Sequence, residues 1–161
     1  MTKLGGTAIV VGAGMGGLSA VAALARQFAS VIVLDRDTLP DGAAPRTAVG
    51  QGAHTHQLLK AGELSLERLL PGITGEFIAA GAREMLVGRD VKVFDFGGWM
   101  EDCDAGFTVT SLSRPAYESI LRRRVAALPG VSIRHETSVK RFVVEGGTCV
   151  GAELDDGTTI G

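Results

Sequence analysis

Near the start of the chain, Gly12-Ala13-Gly14-Met15-Gly16-Gly17 places glycines at 12, 14 and 17. Such spacing suits the holding of phosphate oxygens by backbone amides. Gly12 would make a tight turn, Gly14 would let the backbone approach a pyrophosphate, and Gly17 would let a helix pack closely on a strand. Met15 and Gly16 would open that helix, where free amides and the positive end of the helix dipole attract an anion. Asp35, 18 residues past Gly17, would accept hydrogen bonds from an adenosine ribose. Its charge disfavours a 2′-phosphate, an objection that the neighbouring Arg36 softens. The bare pattern says little in a chain with 23 glycines among 161 residues, so its surroundings must decide.

Those surroundings have the required form. A strand pattern, Thr7–Val11, leads into the turn, and Met15–Phe28 reads as a helix. Val31–Leu34 reads as a second strand that ends at Asp35. This strand–turn–helix–strand order predicts an α/β, Rossmann-like unit with a parallel sheet that binds a dinucleotide. A long loop rich in Gly, Pro, Asp and Thr follows over 35–53, and loops of this kind often carry function. Helices are predicted over His54–Leu70 and Thr74–Ala80, then strands over Met85–Val87, Val91–Phe96 and Phe107–Leu112, with 97–106 irregular. Ser113 is placed to cap a helix that tolerates Pro115 in its first turn and runs to about Leu128. Ala116, Ile120, Leu121, Val125 and Leu128 are its expected buried stripe. Val131–Arg134 reads as a strand, and Val139–Val144 and Thr148–Leu154 as a hairpin across Gly146-Gly147. Another strand starts at Thr158–Ile160.

Composition narrows the partners. The net charge is −2, which gives no basic footprint for nucleic acid. Arg122-Arg123-Arg124 is the one basic run and reads as a solvated helix face. Cys103 and Cys149 form no C-x-x-C pair and read as buried, inert thiols in a reducing cytoplasm. His54-x-His56 lacks the partners a metal site needs, so no metal is expected. From Leu4 to Ala25 there is no charged residue, and Lys3 precedes that stretch, as in a secretory signal or membrane span. Six of residues 5 to 17 are glycine, and they fall where a turn is needed. The turn reading is preferred, and no membrane anchor is expected.

Several stretches together resemble the FAD-binding half of flavin monooxygenases of the p-hydroxybenzoate hydroxylase type. Within that family the branch of olefin epoxidases is most similar, with flavin-dependent halogenases as cousins. The Gly12–Gly17 turn, Val31 to Asp37, the loop from Pro45 to Leu59, Glu67 to Gly72, Ser113 to Val125 and the hairpin after Thr137 carry the resemblance. The family's loop pattern, Arg-x-Gly-Val-Pro-Gln-x-x-His-x-His, is matched by Arg46, Val49, Gln51, His54 and His56. The chain departs from it at Ala48 and Gly50; losing a proline at 50 frees the backbone φ there.

The resemblance implies an FAD-binding domain with an added β-hairpin or meander. It also implies roles. Arg46 would lie over the FAD pyrophosphate or ribityl chain, where a guanidinium fork suits phosphate oxygens. Arg114 would reach the flavin side of the cofactor from its helix N-terminus. An arginine gains nothing from the positive end of a helix, so its place there calls for another partner. Val139 would offer backbone groups to the adenine, and Gln51 and His54 would line the flavin edge. NAD(P)H or a partner reductase would reduce the flavin, and the substrate would be a small lipophilic molecule. The flavin carries the difficult chemistry, so no side chain is nominated as catalytic. Family members run about two to three times this length. The resemblance thus implies that residues 1–161 are the N-terminal portion of such a domain, incomplete and without its substrate domain. The alternatives are a non-catalytic dinucleotide-binding module, and a flavin-dependent reductase or halogenase on the same scaffold.

Overall fold

The computed structural model describes residues 4–54 and 56–161; Met1, Thr2, Lys3 and Thr55 lie outside the described residues, including the Lys3 that flanks the uncharged stretch. Apolar β-branched runs form β1 (Gly5–Val11) and β2 (Phe28–Leu34), and α1 (Met15–Leu24) connects them. The two strands are parallel, with Val10 beside Val33. A parallel pair needs a crossover, and α1 supplies it. The helix stops at Leu24, short of the expected Phe28, because residues 26 and 27 turn back on Ala23 and Leu24. Phe28 thereby joins β2 and packs against Gly5.

The chain then runs through a single 3-10 turn (Gly50–Ala53) into β3 (Gln57–Leu58), α2 (Lys60–Leu69), α3 (Ile73–Ala79) and β4 (Arg83–Leu86). The helix expected over 54–70 is therefore shortened. Gln57 and Leu58 pair instead with β7 (Thr108–Ser111), which also pairs with β4. A short leucine-rich run fits helix or strand equally by pattern, and the neighbouring strand decides. β5 (Phe94–Asp95) and β6 (Gly98–Trp99) form a tight hairpin where a longer strand and an irregular segment were expected. Its two turn residues, Phe96 and Gly97, have φ of 49° and 83°, the mirror-type turn that suits strand twist.

After β7 comes α4 (Arg114–Ala126), then β8 (Val131–Arg134), which extends the parallel sheet to the order β1-β2-β8. β9 (Val139–Glu145), β10 (Thr148–Leu154) and β11 (Thr159–Ile160) form an antiparallel sheet. Helices α1 to α4 bury the main core against one face of the parallel sheet, around Leu18, Val31, Phe77, Tyr117 and Leu121. The antiparallel sheet closes the other face through Leu34, Ala152 and Leu154. Edge-on stacking of Phe77 and Tyr117, with centroids 4.8 Å apart, ties α3 to α4.

Several side chains sit elsewhere than the pattern implied. In α4 the buried set is Pro115, Tyr117, Glu118, Ile120, Leu121 and Val125; Ala116 and Leu128 are only half-buried. Ser113 occupies the cap position but makes no side-chain cap bond. The arginine run is partly tied down, since Arg122 bonds the Pro40 carbonyl and Arg124 bonds Glu76 and the Pro71 carbonyl. Both cysteines are free and exposed, on a loop and on a strand of the small outer sheet, and not buried as expected.

Candidate functional site

The glycine-rich turn is built as its residue types require. Gly12 has φ of +99°, a conformation that side-chain-bearing residues rarely adopt. A Cβ on Gly17 would stand 1.8 Å from the Gly12 carbonyl oxygen, so only glycine lets α1 seat against the turn. Gly14 occupies the helix cap position with no side-chain cap, and the first turn carries no acidic residue. The amides that open α1, at Met15, Gly16 and Gly17, therefore have no partner within the helix.

Asp35 leaves the end of β2 beside this turn and is 7% exposed. Its Oδ2 accepts from the Ala13 amide at 2.6 Å, and its Oδ1 from the Asp37 amide at 2.8 Å. Burial acts to raise its pKa, but those two amides and Arg46 outweigh it and hold the carboxyl below the ordinary range. A cleft of about 520 Å³ opens at the carboxyl ends of β1 and β2, the position where α/β sheets take ligands. Gly12, Gly14, Asp35, Arg36, Arg46 and Val139 all line it. Arg36 is exposed at its edge. Met15, Gly16 and Gly17 stand behind the turn and are not among its lining residues. Gln51 and His54 are exposed and also lie off the cleft.

Arg46 arrives from the loop after β2 with its guanidinium buried. Its Nη1 donates to Asp35 Oδ2 at 3.1 Å and its Nη2 to Glu118 Oε2 at 3.1 Å. Nη2 also reaches the Ala13 carbonyl at 3.3 Å, and Asp37 lies 3.7 Å away. On its other side Glu118 accepts from Arg114 Nε at 2.7 Å through Oε1. Arg114 Nη1 in turn meets His56 Nε2 at 2.9 Å. As arginine has no acceptor, Nε2 takes that bond and the imidazole proton belongs on Nδ1, which is buried without a partner. Burial and the Arg114 charge both lower the His56 pKa, in keeping with the neutral ring.

A continuous chain of charge-assisted bonds thus runs from Asp35 through Arg46, Glu118 and Arg114 to His56. Glu118 had no place in the sequence reading. Its signal was the i, i+4 spacing from Arg114, the partner that an arginine at a helix N-terminus calls for.

These residues fit a dinucleotide. A carboxylate offers about four acceptor positions, and Asp35 uses three, leaving one for a ribose hydroxyl and a second if Arg46 moves aside. Above Gly14 the Arg46 and Arg114 guanidiniums each come within 3.9 Å of where a Cβ would be. Two cations beside open helix amides suit a pyrophosphate. Among the described residues no group of three or more His, Cys, Asp or Glu could hold a metal ion. Nor is any described helix long and apolar enough to cross a membrane.

Comparison with known proteins agrees with this geometry. Residues 10–60 match the NAD(P)-binding Rossmann-like domain. Protein Rv3254 of Mycobacterium tuberculosis is 35% identical over 144 residues, which cover 86% of this chain and 29% of Rv3254. A variant of PqsL from Pseudomonas aeruginosa superposes with a TM-score of 0.73 at 17% identity, over 96% of this chain and 40% of that one. PqsL is described as a probable FAD-dependent monooxygenase. A variant of 2-methyl-3-hydroxypyridine-5-carboxylic acid oxygenase gives 0.70 at 20% identity, over 99% of this chain and 37% of that one. The chain therefore spans well under half the length of the proteins it matches. At these identities the superpositions establish the fold, which is Rossmann-like and is shared with the class of enzyme that the sequence resembles.

Proposed function

We propose that residues 1–161 form the FAD-binding part of a flavin-dependent monooxygenase. The observation that supports it most is the cleft where the glycine-rich turn that leads into α1, the buried carboxylate of Asp35 and the guanidinium of Arg46 meet. Asp35 would hold the adenosine ribose, and the α1 amides with Arg46 would hold the pyrophosphate. Val139 would face the adenine, and Arg114, beside Arg46 above Gly14, would serve the flavin side of that pyrophosphate. Gln51 and His54 would line the flavin edge from the exposed loop. Bound FAD would supply the redox chemistry, passing electrons to O₂ and one oxygen atom to a substrate, by epoxidation or hydroxylation. This chain's residues bind, orient and exclude water. NAD(P)H or a reductase would deliver the electrons, and the substrate would be a small lipophilic molecule; PqsL has been crystallised with the small molecule 2-aminobenzoylacetate. The substrate domain would lie outside residues 1–161, and the protein would work in the cytoplasm.

A non-catalytic dinucleotide-binding module is the second reading. It is favoured by Asp35, the buried acid of the cleft, whose bonds to two amides and Arg46 suit it to binding and not to proton transfer. The test is to add FAD, remove the excess and record the visible spectrum, then add NAD(P)H. A retained flavin band with NAD(P)H oxidation supports the enzyme, and retention without oxidation supports the module. A folded but colourless protein sinks FAD binding by these residues and leaves a site for another nucleotide.

A further inference from the structure

We infer that Glu118 is a positioning residue for the pyrophosphate arm of this site: it holds two guanidiniums side by side over the glycine-rich turn. The inference rests on the dinucleotide reading above and deepens it.

Three observations carry it. First, Glu118 is a buried carboxylate, with a side chain only 4% exposed, and it spends its two oxygens on different arginines. Oε2 takes Nε and Nη2 of Arg46 at 3.3 and 3.1 Å, and Oε1 takes Nε of Arg114 at 2.7 Å. Second, those arginines come from elements far apart in sequence, the loop after β2 and the first residue of α4, yet both reach the same point above Gly14. Two guanidiniums repel each other there, and the positive end of α4 repels Arg114 further. Without a negative charge between them they would separate. Third, Glu118 binds each arginine through Nε while leaving Nη1 of both to other partners, Asp35 for Arg46 and His56 for Arg114. The carboxylate therefore fixes the planes of two cationic forks beside the helix amides, where a pyrophosphate needs them. An adenosine lacks that group, so Glu118 should matter to ADP and FAD and not to adenosine.

The test compares the wild-type chain with Glu118→Gln, which keeps the side chain's size and removes its charge. ADP and adenosine are each titrated as competitors of FAD, and circular dichroism melts confirm the fold. The wild type should prefer ADP to adenosine. Glu118→Gln should bind FAD and ADP at least about tenfold more weakly, a loss of about 1.4 kcal/mol. Its adenosine affinity should stay within about twofold of the wild type. Equal or tighter ADP binding by Glu118→Gln overturns the inference, because the carboxylate would then be repelling the phosphates. Equal losses for ADP and adenosine also overturn it, since Glu118 would be merely structural. Should the glutamine variant unfold, Glu118→Asp serves in its place; its shorter side chain reaches only one arginine and should lose the ADP preference in part. A wild type that binds none of the three ligands overturns the dinucleotide reading itself, a result distinct from the others.

Discussion

Asp35 shows how much one carboxylate can be asked to do. It ends β2, receives the Ala13 and Asp37 amides and pairs with Arg46. Burial alone would raise its pKa, yet these bonds bring it below the ordinary value. A depressed folded pKa stabilises the fold above the unfolded value of about 3.9, and that contribution is lost as pH falls through the folded value. Asp35→Asn should therefore melt below the wild type at pH 7, with the gap closing below about pH 4 in a series of thermal melts. The chain's one tyrosine, Tyr117, gives the opposite case. Burial, with the Glu63 carboxylate nearby, pushes it up to about 12. Its hydroxyl donates to the Thr110 carbonyl at 2.6 Å. A raised folded pKa contributes stability fully below about pH 10, lost as pH rises through the folded value. Ultraviolet titration should show no phenolate until well above pH 10.

Contact between α1 and the turn it follows is what shapes the cleft. The turn's backbone and α1 meet at Gly17, where no side chain fits. Gly17→Ala pushes a methyl group into the Gly12 carbonyl. It should destabilise the chain by about 1–3 kcal/mol or more, as overpacking does, and it should weaken FAD retention by moving the helix amides. Urea unfolding read alongside the flavin spectrum checks both. Tertiary pairing also corrected the element boundaries. Leu58 pairs in β3 because β7 offers it an edge, and α4 turns Tyr117 and Glu118 inward because the core and Arg46 meet them there.

At the scale of the molecule, the β5–β6 hairpin stands out with its aromatic groups exposed. Trp99 is 70% exposed and stacks edge-on with Phe94. As the chain's one tryptophan, it reports on that hairpin alone. Acrylamide should quench its fluorescence nearly as well in the native protein as in urea. Strong protection in the native state would show that the hairpin is covered in solution.

Residues 7–35 of the sequence already determined the strand–turn–helix–strand unit, the need for glycine at 12 and 17, and the acid at the end of β2. These depend on local sterics and on the periods of helix and strand, which neighbouring residues carry. Most of the later helices and strands were legible for the same reason. Only the tertiary structure decided that Gln57 and Leu58 are a strand, that both cysteines face outward and that Arg46 and Arg114 converge on one point. It also revealed Glu118, which lies 72 residues from Arg46. A polar residue inside a helix pattern looks like a solvated one until the fold brings a second charge to it. Burial of a carboxylate is set by what packs around it, and no local pattern of the chain contains that.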